Sequence, residues 1–182
     1  MVRPYTYDDL LASMSEVAHH DWRTFFDGHL EGVGPHAPLA GLEACGWKLG
    51  WADTLSPFLR ALEARGKRTE MQYSIGLILR EDGAIADVIP GSAAAQAGMA
   101  PGMKLIAVDG RRYTPKVLRA AVKAKKSAPQ PLELLAEHAD YFRTFRLDHH
   151  EGEKYPLLVR LDAKPEVLGA ILAPRAGAGG GR

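Results

Sequence analysis

The sequence has almost none of the features that identify several large classes of protein. Cys45 is its single cysteine, which excludes an internal disulfide and a thiolate zinc cluster. No apolar run approaches the roughly 20 residues that cross a bilayer, and residues 1–11 lack the apolar core of a signal peptide. We therefore expect a soluble chain with no membrane partner, and its compartment stays open.

The sequence also lacks an excess of either positive or negative charge. The chain has 23 Lys and Arg against 22 Asp and Glu, a formal net charge of +1, and the basic residues are widely spread. The most basic stretch, residues 116–126 (KVLRAAVKAKK), is typical of a solvated helix face. Because no basic patch is evident, we expect no nucleic-acid partner.

What the sequence does contain begins with helical patterning. Thr6 and Asp9 have the spacing of a capping box, and apolar residues follow at helical intervals. Asp21 can cap a second helix whose apolar side carries Trp22 and Phe26. These features predict two helices near the start of the chain, each with an apolar face to cover.

The stretch from residue 47 to residue 70 predicts a strand and then a helix. Trp47, Leu49 and Trp51 alternate with other residues, which indicates a strand with one buried face. Ser56 precedes a proline and Gly66 closes the segment, the start and stop signals of a helix.

From Met71 onward the sequence is mostly strands separated by turn residues. A strand end and a short helix begun near Pro165 come last, and we expect the glycine-rich tail to be flexible. The predicted order is strand (75–80), strand (84–89), short helix (92–98), strand (104–108), long helix from Thr114, and strands near 131–137 and 141–148.

This order resembles a PDZ domain of the permuted kind found in bacterial proteases. The specific part of the match is residues 91–110 (GSAAAQAGMAPGMKLIAVDG), in which a small-residue helix, a Gly-x-x-Pro-Gly turn and a strand follow one another. Gly98 and Gly102 stand where the chain needs a positive φ. The resemblance implies an α+β fold: a small PDZ-like β-barrel or sandwich with two helices, preceded by a small helical piece.

The PDZ resemblance also implies a peptide-binding site. Ser74, Ile75, Gly76 and Leu77 would form the loop that offers backbone N–H groups to a terminal carboxylate, and the peptide would add as a strand to an exposed edge. Gly76 would let the backbone approach the anion, while Ile75 and Leu77 would line an apolar pocket. The pairing edge would continue through Ile78 and Leu79, and the long helix would face it with Leu118 and Val122.

Two features qualify that site. Ser74 replaces the first glycine of the family's GLGF pattern, and no histidine near Leu118 can receive a ligand hydroxyl, so we expect an apolar preference and modest affinity. The alternative interpretation is that the same residues are core, with the groove plugged by the chain's own tail or by a neighbouring domain.

The flanks resemble the glycyl aminopeptidase family, zinc gluzincins that carry a C-terminal PDZ domain. The resemblance rests on EVA (16–18), DWRTFF (21–26), GPHAPL (34–39) and GWKL (46–49) before the PDZ part, and on DAKPEVLGAILAP (162–174) after it. In that family two His of an HExxH helix and a downstream Glu bind zinc. This sequence has no HExxH, so we expect no catalytic set and no cofactor here, and zinc in the catalytic domain of a longer parent.

The two resemblances together predict the organisation of the chain. We expect a helical segment resembling the end of a catalytic domain, a connecting strand and helix, a PDZ domain, a strand and helix extension, and a flexible tail; their bounds are 1–46, 47–70, 71–150, 151–173 and 174–182. The expected partners are a peptide or protein C-terminus and the parent's catalytic domain, with a homodimer left open. A signal on the parent's preceding part would take the protein to the periplasm or outside the cell.

Two other functions stay open. In one, the PDZ fold is purely structural or makes a dimer contact, and its groove is unused. In the other, the chain is a metal-dependent hydrolase in its own right, using His19, His20, His149 and His150. Adjacent histidines diverge by about 100° on a helix and point to opposite faces on a strand, so each pair alone cannot chelate a metal.

Overall fold

A computed structural model of the chain describes residues 4–34 and 37–174. The helices are α1 (Tyr7–Val17), α2 (Trp22–Leu30), α3 (Ala40–Ala44), α4 (Pro57–Gly66), α5 (Ala93–Gln96), α6 (Pro115–Lys125) and α7 (Leu168–Leu172). The strands are β1 (Trp47–Ala52), β2 (Arg68–Met71), β3 (Leu77–Arg80), β4 (Ile85–Val88), β5 (Lys104–Val108), β6 (Arg111–Arg112), β7 (Leu132–His138), β8 (Tyr141–Leu147) and β9 (Tyr155–Arg160).

The chain divides into two compact units. One, here called the terminal unit, consists of Met1–Lys48 and Leu161–Arg182, and the other, the central unit, is Leu49–Arg160. The five segment boundaries expected from the sequence stay a prediction. Residues 175–182 of the predicted flexible tail (174–182), and Pro35 and His36 of the GPHAPL stretch, lie outside the described residues.

The central unit contains antiparallel sheets with helices packed among them. The strand orders are β1-β9, β2-β3-β4 and β6-β5-β7-β8. Each strand of the β2-β3-β4 sheet runs antiparallel to its neighbour, as do those of the four-stranded sheet. The α+β prediction is therefore confirmed, and of the two predicted forms the strands adopt open sheets, since none of the sheets in the described residues closes into a barrel.

The central unit has a continuous hydrophobic core. Leu134 in β7 is fully buried between Val108 of β5 and Phe145 of β8. On one side of α6, Leu118 and Val122 are fully buried in the same core. The 3.6-residue period of α6 and the two-residue period of the strands thus present their apolar sides to one interior.

Side-chain caps begin the first two helices of the terminal unit, α1 and α2. The Thr6 hydroxyl accepts from the Asp9 N–H and the Asp9 carboxylate accepts from the Thr6 N–H, which confirms the predicted capping box. Asp21 caps α2 by accepting from the Thr24 N–H at 3.1 Å, also as predicted. The rings of Trp22, Phe25 and Phe26 then pack edge to face or tilted against one another.

Strand β1 forms where the alternation predicted it, but the expected buried face is wrong. Leu49 and Trp51 are 37% and 48% exposed. The Trp51 ring instead packs on Tyr73 at 5.7 Å between centroids, and Lys154 Nζ lies 4.8 Å from its centroid. A tryptophan at an alternating strand position therefore need not be buried in a core, because its indole can pack on a neighbouring ring and under a cation.

Among the helices of the described residues, none combines the length with the apolar character that crossing a bilayer requires.

Candidate functional site

The turn between β2 and β3 gathers backbone N–H groups around one oxygen. The N–H groups of Ser74, Ile75 and Gly76 all donate to the Met71 carbonyl oxygen, at 3.1, 3.1 and 3.0 Å. Consecutive amides that converge in this way form a concave site for an acceptor. They are the amides that the sequence predicted for a terminal carboxylate, and in this structure a carbonyl of the chain itself occupies them.

Gly76 is required in this turn for steric reasons. Its φ is +83°, a conformation that side-chain-bearing residues rarely adopt. A Cβ at this position would lie 2.0 Å from the Ser92 hydroxyl oxygen. The close approach that needs glycine is therefore to Ser92, the N-cap of α5, in addition to any acceptor in the turn.

Ser74 has a structural role where the family pattern has glycine. Its hydroxyl oxygen accepts from the Lys154 N–H at 3.0 Å and its hydroxyl lies 3.4 Å from the Lys154 carbonyl oxygen. Lys154 immediately precedes β9, so this side chain fixes the turn to the start of that strand. The serine thus positions the loop and leaves its backbone N–H for the Met71 oxygen.

The predicted pocket residues are brought together in the core. Ile75, Leu77 and Leu79 are fully buried, whereas Ile78 points to the other side of β3 and is half-buried. Leu118 and Val122 of α6 are buried in the same cluster. The Met71 side chain is fully buried in that cluster too, so β2 contributes an apolar side chain to the core in which these residues lie.

The expectation of an exposed pairing edge at Ile78 and Leu79 is wrong for this conformation. On one edge β3 pairs with β4, through Leu77↔Val88 and Ile78↔Asp87. On the other edge β2 pairs with β3 antiparallel over four residues, from Arg68↔Arg80 to Met71↔Leu77. A strand has only two edges for hydrogen bonding, so β3 cannot accept an added strand while β2 is in place.

A cluster of charges holds β2 from outside. Glu63 of α4 accepts from the Glu70 N–H at 2.7 Å, and it forms an ion pair with Arg119 of α6. Arg119 also pairs with Glu153 at 3.1 Å and lies 3.4 Å from the Met71 sulfur. Side-chain exposures of 11–19% for the three charged residues place these ion pairs largely out of water, where breaking one partner leaves an uncompensated charge.

Tyr155 completes this cluster at the start of β9. Its hydroxyl donates to Glu153 and is also in contact with Arg119. Burial, followed by the hydrogen bond to Glu153, raises the pKa of the Tyr155 phenol well above its usual range. The phenol therefore stays protonated, and donates its hydrogen bond to Glu153, well into alkaline solution.

The histidines proposed for a metal site lie in two different units. His19 and His20 are exposed in the terminal unit. In the central unit His149 is buried with Nε2 2.7 Å from the Gly152 carbonyl oxygen, and His150 Nε2 lies 2.8 Å from the Asp148 carboxylate. Within the described part of the chain, no group of three or more metal-ligating side chains comes together.

Sequence reasoning missed strand β2. Residues 68–70 fall in the predicted connecting segment 47–70, and Arg, Thr and Glu carry no apolar pattern. The usable signal was weak: Thr69 and Met71 alternate with charged residues, and both are buried in the structure, at 3% and 0% exposure. Four residues with a single β-branched side chain form too short a pattern to predict a strand from the sequence.

Comparisons with known proteins give structural likeness only. No family model matches the chain, and no curated protein does. A crystal structure of an aminopeptidase N family protein from Idiomarina loihiensis superposes on 93% of this chain with a TM-score of 0.56 and 17% identity. The chain spans 29% of that protein's length, so the likeness concerns the fold of one part of it.

Two other solved structures share less with the chain. One is the HtrA3 PDZ domain bound to a phage-derived ligand (FGRWV), with a TM-score of 0.32, 18% identity and coverage of 62% of this chain and 92% of that one. The other is the photosystem II D1 C-terminal processing protease, with a TM-score of 0.30, 17% identity and coverage of 80% and 45%.

Proposed function

We propose that this chain is the noncatalytic C-terminal part of a zinc aminopeptidase-like protein, and that its central unit is a PDZ-like module that holds a peptide end. The fold likeness to an aminopeptidase N family protein over 93% of the chain supports the first part. The sequence has no HExxH. Zinc and the peptidase chemistry therefore belong, in this proposal, to a catalytic domain of the parent, which is also one of the module's partners.

The observation that carries the second part is the set of three amides on the Met71 oxygen. A carboxylate is a stronger acceptor than a carbonyl, and hydrogen bonds to it are shorter and about twice as strong. Next to these amides the core accommodates an apolar side chain, that of Met71. The same arrangement suits the last residue of a peptide whose backbone runs antiparallel to β3.

The direct test is an amide NMR titration of the full chain with a short peptide that has an apolar last residue and a free carboxylate. We expect shifts of the Ser74, Ile75 and Gly76 amides at millimolar peptide, because these donors would exchange one acceptor for another. The same peptide with an amidated end is the control and should leave these signals in place. Equal shifts with both peptides would contradict recognition of the carboxylate.

A second candidate function is purely structural. It is favoured by the pairing of β3 along both edges, since a groove filled by its own chain needs no ligand. In this case the module would support the parent's catalytic domain or a dimer contact. Silence of the three amides up to several millimolar free-carboxylate peptide, in variants that release β2 as well as in the unaltered chain, would favour it.

A further inference from the structure

We propose that β2 is a built-in substitute for the ligand: Arg68–Met71 occupies the groove in the manner of a bound chain end, and an external chain end of similar sequence binds only when β2 leaves. This inference rests on the proposed peptide-binding function and adds to it the class of ligand and the means of control. It follows from how β2 is placed, which side chains it buries and what holds it.

The backbone placement of β2 is that of an added strand. It pairs antiparallel with β3 over four residues, from Arg68↔Arg80 to Met71↔Leu77. Its last residue puts a backbone oxygen within 3.1 Å of three consecutive amide nitrogens of the turn. A free peptide whose last residue took the place of Met71 would put its carboxylate at this oxygen position, because that carbonyl carbon is the carboxyl carbon of a chain end.

The side chains of β2 define the class of ligand. Met71 is fully buried and Thr69 is 3% exposed, whereas Arg68 is exposed and Glu70 half-buried. In an extended strand alternate residues face the same way. The side chains of a ligand that contact the groove are therefore those of its last residue and of the residue two positions before it. The expected ligand is a C-terminus with an unbranched apolar last residue and a small polar residue, such as Thr, two positions earlier.

The contacts that hold β2 from outside come from α4 and α6. The Glu70 N–H, which points away from β3, donates to Glu63 Oε1 at 2.7 Å, and Arg119 holds Glu63 in place. Neither Glu63 nor Arg119 belongs to β3 or to the turn. Because α4 leads directly into β2, we infer that Glu63 leaves together with β2 and makes no bond to the ligand. A ligand that needs the open form binds with an apparent Kd equal to its intrinsic Kd divided by the open fraction, so weakening the Glu63 contact raises affinity.

A reversible disulfide between β2 and β3 tests whether β2 must leave β3 before a peptide binds. Arg68 and Arg80 are exposed and face each other across β2 and β3. Because the Glu70 N–H is not used in the ladder, Glu70↔Ile78 and, two residues away, Arg68↔Arg80 are non-hydrogen-bonded pairs. The Cα atoms of such pairs lie about 4.5 Å apart, within the range of about 4.4–6.8 Å that a disulfide bridges. We would join them with Arg68→Cys and Arg80→Cys in a Cys45→Ala background.

The probe is the acetylated peptide Arg-Thr-Glu-Met with a free carboxylate, with its amidated form and Arg-Thr-Glu-Asp as controls. Binding is measured by calorimetry and by the Ser74, Ile75 and Gly76 amide signals. We expect the reduced double-cysteine chain to bind the free-acid peptide at least about tenfold more tightly than the oxidised chain, and both controls to bind weakly. Oxidised and reduced protein have the same sequence, so each serves as the other's control.

A second pair of variants tests the external contacts without a disulfide. Glu63→Ala removes the acceptor of the Glu70 N–H, whereas Glu63→Gln keeps an oxygen there and loses only the charge. We expect Glu63→Ala to bind the peptide about tenfold more tightly than the unaltered chain, with Glu63→Gln closer to the unaltered chain. Hydrogen exchange of the Met71 and Leu77 amides reports whether β2 has loosened while Leu134 stays protected.

The outcomes separate this inference from the function on which it rests. Equal binding by oxidised and reduced protein would overturn the inference and leave the peptide-binding function standing, since a ligand would then bind with β2 in place. No binding by the reduced, oxidised or Glu63→Ala chains would overturn both, and the structural role would remain. Binding by the reduced and Glu63→Ala chains alone would support both.

Discussion

The two units of this protein are ordered in different ways. Every hydrophobic side chain that is buried in the described residues lies in the central unit, from Met71 to Tyr155. In the terminal unit, helices α1, α2, α3 and α7 contain no buried residue, and Leu30 remains 75% exposed. The central unit is held by burial, whereas α1 and α2 of the terminal unit are held by caps, contacts between rings and polar contacts such as the Arg23–Asp8 ion pair.

The difference has an energetic meaning. Burying one large aliphatic side chain contributes about 1.5–3 kcal/mol, and the central unit has many such residues. An N-cap contributes about 1 kcal/mol and an aromatic pair about 0.5–1.5 kcal/mol. Helices of 11 and 9 residues, such as α1 and α2, are marginal in water without packing. The terminal unit should therefore be the less stable of the two.

The largest expected contrast comes from the same substitution in each unit. Leu134→Ala would leave a cavity between β5 and β8, and we expect a loss of about 2–5 kcal/mol in the free energy of unfolding of the central unit. Leu30→Ala, at an exposed site at the end of α2, should change stability by less than about 0.5 kcal/mol. Denaturant unfolding followed by NMR signals of each unit measures both.

The outcome that would remove the contrast is a comparable loss from the two variants. A loss above about 2 kcal/mol for Leu30→Ala would mean that α2 is buried in solution, for instance in a dimer. Repeating the measurement over a tenfold range of protein concentration would identify that case, because dimer stability depends on concentration.

Much of the local structure could be predicted because its causes are local. Thr6, Asp21, Ser56 and Thr114 each begin a helix as expected, since a cap needs only a side-chain oxygen three residues from an N–H. Strand β5 has the bounds predicted, Lys104–Val108. Interactions between residues that are close in sequence determine these elements, so a sequence pattern is enough to predict them.

The pairing of β2 with β3 could not be predicted in the same way. Resemblance predicted a turn and a strand start at Ile75, Gly76 and Leu77, where the structure has the turn and the start of β3, but it said nothing of what packs beside them. The pairing of Met71 with Leu77 depends on how the turn folds β2 back, and polar residues at 68–70 gave no sign of burial. Whether the site residues bind a peptide stays a prediction.

The second contrast uses Gly→Ala, for which we expect opposite signs. In the central unit Gly76→Ala meets a positive φ and the Ser92 hydroxyl at 2.0 Å, so a loss of about 1–3 kcal/mol is expected. In the terminal unit Gly28 is inside α2 with no atom within 4 Å of an added Cβ. Gly28→Ala should stabilise α2 by about 0.5–1 kcal/mol, since alanine favours helix.

Thermal unfolding monitored at residues of each unit measures these two effects. Gly98→Ala is the control for Gly76, because it has a similar φ of +86° and open space around the added Cβ. If Gly76→Ala costs no more than Gly98→Ala, the contact with Ser92 is relieved by a small shift and only the backbone conformation matters.

The smallest expected effects are those of pH, which should act at opposite ends of the scale in the two units. In the terminal unit, hydrogen bonds from the backbone N–H groups of Thr6 and Thr24 lower the pKa of Asp9 and of Asp21. A lowered pKa in the folded state contributes stability above the unfolded value, about 4, which is lost as the pH falls through the folded value. Helices α1 and α2 should therefore fray in acid, and Asp21→Asn, which keeps a capping oxygen without a charge, should flatten the response of α2.

In the central unit, burial raises the pKa of Tyr113 and Tyr155. A raised pKa in the folded state contributes stability that is complete below the unfolded value, about 10, and is lost as the pH rises above it. The central unit should lose stability in alkali, and Tyr155→Phe should reduce that loss because it removes one of the two buried phenols, while Arg119 still pairs with Glu153. Methyl signals of Thr24 and Leu134 followed from acid to alkali measure both. Loss of the two signals over the same pH range at both extremes would show that the units unfold together and that their difference in burial does not separate their stabilities.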